Sequence, residues 1–375
     1  MTDPEDLDSL RRRIRELDDR LVSLAAERQA LVRQVGEEKR RRGLPTVDFA
    51  QERQVLERVR SLAADRRLDP RLAEDLMLRL IRASVTAQEE DSLRQAATGA
   101  GEQAVVVGGA GRMGRWIRRF LEAQGFSVAV LDPKMPQERE RAEALLPGAK
   151  LVLYATPPGQ TARLYHELCP SPPAGVVADL ASIKTPLLSP IRELQRAGGR
   201  VASLHPMFGP SILVLRDADV LICDTGDAEA TAAVEALFAP TTARRVHLPL
   251  VDHDRLMADL LSLAHATAFA FALALPDANH PVRSTTFRAL EGLASAIVRE
   301  SPDLYYEIQA DNPHSLSAVE RLRAAVEQLL TVVRARSVED FRALLAEGRR
   351  RTGRGDSAAP AAVDGGTEER SAGSK

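Results

Sequence analysis

Residues 104–132 read AVVVGGAGRMGRWIRRFLEAQGFSVAVLD, and the order of residue types in this stretch decides the fold of the middle of the chain. A β-branched run gives way to glycines, then to an amphipathic helical stretch, then to a second β-branched run ending at Asp132. Gly109, Gly111 and Gly114 form a GxGxxG turn, a weak signal by itself. Here it follows a strand, opens a helix and precedes an acidic residue at the end of the next strand, the context of a dinucleotide fingerprint. The first glycine permits the turn and the second lets the backbone approach a pyrophosphate, whose charge sits on the helix N-terminus at Arg112 and Met113. Asp132 would accept hydrogen bonds from a ribose 2′-hydroxyl and repel a 2′-phosphate, favouring NAD over NADP, while Lys134 and Arg112 soften that choice. KLVLYATPP (150–158) and GVVADLASIK (175–184) repeat the strand-then-loop form. Residues 104–250 therefore read as a Rossmann-type α/β domain with a parallel sheet.

Working outward, residues 1–90 read as helix. Leu10, Ile14, Leu17, Leu21, Leu24, Leu31 and Val35 recur by steps of three and four, one stripe of a helix from about Leu7 to Arg42, ended by Gly43 and Pro45. Such a helix spans roughly 54 Å, too long for two short partners to cover, so it is expected to pair with the same helix of a second chain. A second helix starts after Asp48, a good N-cap, and a third follows Asp69-Pro70. The stretch EEDSLRQAATGAGEQ from Glu89, including residues 91–103, reads as a polar linker. From about Asp252 the chain is helical again, giving an all-α domain over 251–350, and 351–375 read as a disordered Gly/Ala/Ser-rich tail.

Composition narrows the function classes. The 375 residues, 44% hydrophobic and 28% charged, suit a soluble globular protein. A formal net charge of -2 gives no electrostatic reason to expect nucleic acid or a membrane as partner. No apolar run is read as a bilayer span, the N-terminus lacks a signal-peptide pattern, and Cys169 and Cys223 lack metal-ligand spacing. A cytoplasmic, metal-free protein is expected.

Polar residues fall on the helix faces that should be buried. Arg28 lies between Leu24 and Leu31 on the first stripe, and Lys39 one turn beyond Val35. Ser84 and Gln88 continue the stripe of Met77 and Ile81, and Glu52 sits four before Leu56. Burying unpaired cations costs several kcal/mol each, a cost that a bound anion would remove. Arg28 and Lys39, roughly 16 Å apart along the axis, could close on a small dicarboxylate from both sides.

The N-terminal part resembles the all-helical chorismate mutases in LRRRIRELDDRLVSLAAERQALVRQVGEEK (10–39), in the Asp48…Glu52-Arg53 segment and in SVTAQ (84–88). The resemblance implies that Arg28 binds substrate carboxylates with Ser84, and that Lys39 and Gln88 hold the ether oxygen. It also implies that Asp48 and Glu52 contact the substrate, Glu52 at its hydroxyl, and that Arg11 reaches across from a partner subunit. Gln51 departs from the pattern, which usually has arginine there. Residues 104–345 resemble prephenate dehydrogenase in VVVGGAGRMGR, DLASIKT, SLHPMFGP, DHDRLMADLLSLAH and FRALEGLASAIVRESPDLYYEI. By that resemblance His205 contacts the 4-hydroxyl of prephenate with Ser182 nearby, and Arg288 binds a carboxylate. His253 and His265 lie by the substrate, and Thr156 and Pro157 line the nicotinamide end.

A neutral histidine, with reference pKa near 6.5, suits the proton removal that such an oxidation requires. The expected architecture is an all-α chorismate mutase bundle, an α/β Rossmann domain and an all-α C-terminal dimerisation domain. The expected enzyme is a homodimer that takes chorismate to prephenate and prephenate to 4-hydroxyphenylpyruvate with NAD, for tyrosine synthesis. A second reading keeps both steps on the 4-amino-4-deoxy analogues; a third makes the bundle a silent module on a dehydrogenase.

Overall fold

The computed structural model describes residues 6–44, 48–210, 212, 215, 218–276, 282–299 and 301–353. The chain opens with α1 (Leu7–Arg41), α2 (Phe49–Asp65) and α3 (Pro70–Ala96). Asp48 and Asp69 cap α2 and α3, their carboxylates accepting the Gln51 and Arg71 N–H groups at 3.0 and 2.9 Å. The leucine stripe of α1 is uncovered within one chain: its seven residues, from Leu10 to Val35, are 41–59% exposed. A neighbouring line, Ala25, Arg28, Gln29, Val32 and Gly36, is the more buried one. Covering the stripe would contribute on the order of 10 kcal/mol.

Next come β1 (Gln103–Val107), α4 (Arg112–Ala123), β2 (Ser127–Leu131), α5 (Arg139–Leu145), β3 (Leu151–Tyr154) and α6 (Pro158–Leu168). They are followed by β4 (Val176–Asp179), α7 (Leu188–Arg196), β5 (Arg200–Pro206), β6 (Asp219–Asp224), α8 (Ala228–Ala236) and β7 (Arg244–Pro249). The strands form one sheet in the order β2-β1-β3-β4-β5-β6-β7. All pairs are parallel except β5–β6, so the sheet is mixed where the sequence reading expected it parallel throughout. Strand order reverses between β1 and β3, which places a crevice outside their carboxyl ends. Val107, Tyr154, Asp179 and Ser203 form one row along that edge.

Residues 89–96 of the stretch read as a polar linker are instead the last turns of α3, and 97–102 connect it to β1. Glu89 and Leu93 are buried, and Leu93 joins Trp116, Ile117 and Phe120 of α4 in the core of the sheet. The pattern that hid this is amphipathic: one side of EEDSLRQA is polar and exposed, while Leu93 is the one apolar residue on the other, beside the buried Glu89.

The remaining helices are α9 (His253–Met257), a π-helical turn (Ala258–Ser262), α10 (Leu263–Ala274), α11 (Thr285–Val298), α12 (Pro302–Ala310), α13 (Ser315–Ala335) and α14 (Val338–Arg351). The continuous helical stretch Leu250–Ala274, with an 18-residue window of mean hydropathy 1.6, is long and apolar enough by length and composition to cross a bilayer, contrary to the sequence reading. It nonetheless carries Asp252, His253, Asp254 and Arg255 in its first turns. The chain divides into two compact units, residues 1–260 with 300–313, and residues 261–299 with 314–375. The three N-terminal helices thus belong to the same unit as the sheet. In the second unit α10 packs on α11 and α13, and Phe271 meets Phe287 edge-on at 5.9 Å. The expected tail beyond Gly353, and His280, lie outside the described residues.

Candidate active sites

The glycine turn after β1 is built for close approach. A Cβ at Gly114 would lie 2.1 Å from the Gly108 carbonyl oxygen, and one at Gly109 would lie 2.5 Å from Val130. Gly108, just before the GxGxxG, is equally required: it has φ +82°, and its Cβ would lie 2.8 Å from the Ala155 oxygen and the Thr156 methyl. Thr156, in the loop after β3, therefore borders the turn; it and Pro157 were expected to line the nicotinamide end. Its hydroxyl pairs with that of Thr161 at 2.8 Å. Gly111 stands at the N-cap of α4, and Arg112 and Met113 open the helix, so backbone N–H groups face the crevice. The Asp132 carboxylate accepts the Ala110 and Lys134 N–H groups, each at 2.9 Å, which fixes its charge beside the turn. A cradle that only glycine can line, a helix N-terminus and an acidic group at the second strand fit a dinucleotide without a 2′-phosphate.

His205 lies inside β5, paired with Leu221 of β6, and is 7% exposed. Its Nδ1 is 3.0 Å from His253 Nε2, and His253 Nδ1 is 2.7 Å from Asp254 Oδ1. The carboxylate can only accept, so His253 donates from Nδ1 and accepts at Nε2. His205 must then donate from Nδ1, which leaves its Nε2 lone pair as the basic atom. Asp254 is itself held by the Lys184 and Thr185 N–H groups, both at 2.7 Å, and its carbonyl accepts the Asn312 amide at 2.8 Å. Burial opposes its charge, but these donors outweigh that and hold the carboxyl at about 2. His253 was expected at the substrate. It is fully buried with both nitrogens engaged, and this geometry puts it behind His205 instead.

Lys184, which the sequence reading passed over, is completely buried. Its ammonium donates to Asp179 Oδ1 at 2.6 Å and to the Leu204 carbonyl at 3.0 Å, one residue before His205. Burial first, then His253 and the Lys184 charge, drive the His205 pKa well below its ordinary value; Asp254 opposes them weakly. Burial likewise lowers that of His253. The signal available in sequence was a lysine among so few in an otherwise apolar loop. Ser182, in the loop after β4, has its hydroxyl oxygen buried with no hydrogen-bond partner among the described residues. His265 lies on α10 and Arg288 on α11, both in the second unit. Arg288 is exposed, and burial lowers the His265 pKa.

In the helical bundle, Arg28 Nη1 donates to Ser84 Oγ at 2.8 Å and to the Leu80 carbonyl at 3.3 Å. Burial lowers the Arg28 pKa. Ser84 Oγ also bonds Gln29 and the Leu80 carbonyl. Gln88 Nε2 donates to the Val32 carbonyl at 3.0 Å, and its side chain packs on Gly36, where a Cβ would meet it at 3.0 Å. Gly36 was another residue missed, although a glycine in mid-helix costs about 1 kcal/mol relative to alanine and asks for a reason. Lys39 and Glu52 are half-buried, and Asp48 is occupied as the N-cap of α2. Arg11 is exposed beside Asp8, away from the residues gathered around Ser84. The remaining described histidines are surface groups or helix ends: His166 pairs with Glu193, His247 with Glu235, and His314 precedes α13.

A dinucleotide cradle and a dry histidine relay on one sheet edge define a nicotinamide-dependent dehydrogenase, here preceded by a helical module with inward cations. Comparison with known proteins makes both parts specific. Residues 10–89 match the family described as chorismate mutase type II, and residues 251–347 match the dimerization domain of prephenate dehydrogenase. The T-protein of Enterobacter agglomerans is 31% identical over 323 residues, 84% of this chain and 85% of that protein. The chain belongs to the T-protein family and so joins a chorismate mutase part to a prephenate dehydrogenase part. A 4-amino-4-deoxyprephenate dehydrogenase of Streptomyces pristinaespiralis is 30% identical over 264 residues, 65% of this chain and 88% of that protein. The crystal structure of prephenate dehydrogenase from Aquifex aeolicus with hydroxyphenyl propionate and NAD+ shares the fold, with TM-score 0.54 and 17% identity over 68% of this chain and 98% of that one.

Proposed function

We propose that this chain is a cytoplasmic, homodimeric enzyme that rearranges chorismate to prephenate in its helical bundle. Its dehydrogenase part then oxidatively decarboxylates prephenate to 4-hydroxyphenylpyruvate on the way to tyrosine. The observation that carries the second step is the His205–His253–Asp254 relay, which leaves one imidazole nitrogen unprotonated in a dry site. NAD, when bound at the glycine turn, supplies the acceptor for the hydride that leaves C4. His205 Nε2 takes the 4-hydroxyl proton as the carbonyl forms. The C1–carboxylate bond then breaks, its electron pair aromatises the ring, and the phenolate oxygen recovers the proton from His205. The Ser182 hydroxyl donates to the same oxygen, which satisfies its open valence. Burial first, then His253 and the Lys184 charge, keep His205 from starting the cycle protonated.

The mutase step needs no base, because the rearrangement is unimolecular. Arg28 and Ser84 hold a carboxylate, and Lys39 with Gln88 donates to the ether oxygen where negative charge grows. Glu52 receives the substrate hydroxyl, and Arg11 of a second copy completes the pocket. The open leucine stripe of α1 and the match to a dimerization domain support two copies. The test is the purified protein with chorismate and NAD+: NADH should accumulate after a lag. Chorismate consumption should persist without NAD+. If chorismate is untouched in either mixture, the bundle is a silent module.

A second reading keeps the same chemistry on 4-amino-4-deoxychorismate and its prephenate analogue. Gln51 in place of the usual arginine, next to Glu52, and the likeness to the Streptomyces enzyme favour it. Under this reading kcat/KM for the amino compounds exceeds that for chorismate and prephenate; the reverse order overturns it.

A further inference from the structure

Glu89 belongs to neither proposed site, yet it is 4% exposed and carries a carboxylate surrounded by neutral donors. Oε2 accepts the Leu215 N–H at 3.0 Å, and Oε1 accepts the Thr242 N–H at 2.6 Å as well as the Thr242 hydroxyl. Leu215 lies in the segment that joins His205 at the end of β5 to β6, and Thr242 lies just before β7. The same segment is pinned from α4, where Trp116 Nε1 donates to the Ile212 carbonyl at 3.2 Å and the indole meets Phe208 edge-on. The next residue back along α3, Gln88, faces α1. One helix thus presents a bundle residue and a sheet anchor on adjacent positions.

We infer that Glu89 is a positioning residue of the dehydrogenase, through which the helical bundle holds the β5–β6 segment and so sets His205 against the crevice. A buried carboxylate is a strong choice for this task, because a charged acceptor bonds backbone N–H groups about twice as firmly as a neutral one. No uncharged side chain can accept three donors at two points in this way. Replacement by glutamine keeps the volume but turns an amide donor toward an N–H group, which forces the segment to shift. The physical consequence is a small displacement and partial hydration of the strand end that carries His205. The inference rests on the reading of His205 as the base.

The experiment compares wild type, Glu89→Gln and His205→Asn as full-length protein, with both activities measured. Glu89→Gln is expected to lower the dehydrogenase kcat about tenfold or more, the scale of an ångström-sized misplacement. KM for NAD+ and the mutase kcat/KM should stay within about twofold. The acid limb of the dehydrogenase pH profile should move up, as a wetter His205 regains its ordinary basicity. Trp116, the only tryptophan, should report the shift in its emission. Unchanged dehydrogenase kcat and pH profile in Glu89→Gln, with His205→Asn impaired, would overturn the inference. Full activity in His205→Asn would overturn the underlying reading instead. Should Glu89→Gln lose mutase activity too, Thr242→Val, which deletes one hydroxyl, replaces it with the same expected direction and the same overturning result.

Discussion

The two reaction centres of this chain solve the problem of a charged substrate in opposite ways. In the bundle, Arg28, Ser84 and Gln88 are spread along two helices, and the α1 stripe beside them is uncovered within one chain. In the dehydrogenase, His205, His253, Asp254 and Lys184 are all buried within one chain and their hydrogen bonds close on one another. The difference follows from the chemistry each is proposed to do. A pericyclic step asks only for shape and fixed donors, which facing helices supply without any tuned proton acceptor. Proton removal asks for a tuned pKa, and tuning requires a dry, fully connected network.

The comparison breaks most visibly if the centres fail to separate under substitution. His205→Asn is expected to cut dehydrogenase kcat by up to about 10⁴-fold, the upper range for loss of a general base, and to leave the mutase unchanged. Lys39→Ala is expected to do the converse, lowering mutase kcat/KM by about 10²–10³-fold, the scale for one charge-stabilising donor. Parallel measurement of chorismate loss and of NADH formation from prephenate checks both. A variant that damages both activities equally would show one shared site.

pH sharpens the same contrast. The His205 and His253 pKa values lie below their ordinary value near 6.5, so the folded protein holds them neutral. Their contribution to stability is present above the unfolded pKa and is lost as pH falls from about 6.5 through the folded values. Asp254, held at about 2, adds a second loss below its unfolded value near 3.9. The dehydrogenase rate should therefore be flat at neutral pH with an acid limb below about 6.5, whereas the mutase shows no such limb. Lys184→Met removes a positive charge beside His205 and should move that acid limb upward. An unmoved limb would show that burial and His253 set the basicity without the Lys184 charge.

Most of this organisation was legible in the sequence, because periodicity and glycine spacing are local signals. The GxGxxG turn, the helical bundle and the inward placement of Ser84 and Gln88 all express a residue's relation to neighbours three or four positions away. What stayed hidden depends on contacts far along the chain. Asp254 matters because the Lys184 and Thr185 N–H groups come to it from seventy residues back. Glu89 looked like the start of a linker because its partners, Leu215 and Thr242, lie more than a hundred residues on. His253 was expected at the substrate, whereas its nitrogens face His205 and Asp254, since sequence does not show which nitrogen faces what. The uncovered stripe of α1 was foreseen for a simple reason: a helix of 35 residues outreaches its two companions.

Gly36 tests the subtlest side of the contrast, because there the bundle gives up helix stability for room. A Cβ at that position would sit 3.0 Å from Gln88 Cγ, tighter than ordinary contact, and Gln88 is the side chain that must yield. Gly36→Ala should gain up to about 1 kcal/mol of intrinsic helix preference, part of it spent on displacing Gln88. The expected result is a melting temperature that does not fall, together with a severalfold lower mutase kcat and an unaltered dehydrogenase. Catalysis by fixed donors tolerates a few tenths of an ångström poorly, even when the helix itself is better off. If Gly36→Ala keeps full mutase activity, Gln88 either moves without cost or is not one of the donors. Adding Gln88→Ala decides which: further loss means the amide still works from its displaced position, and no loss removes it from the mutase site.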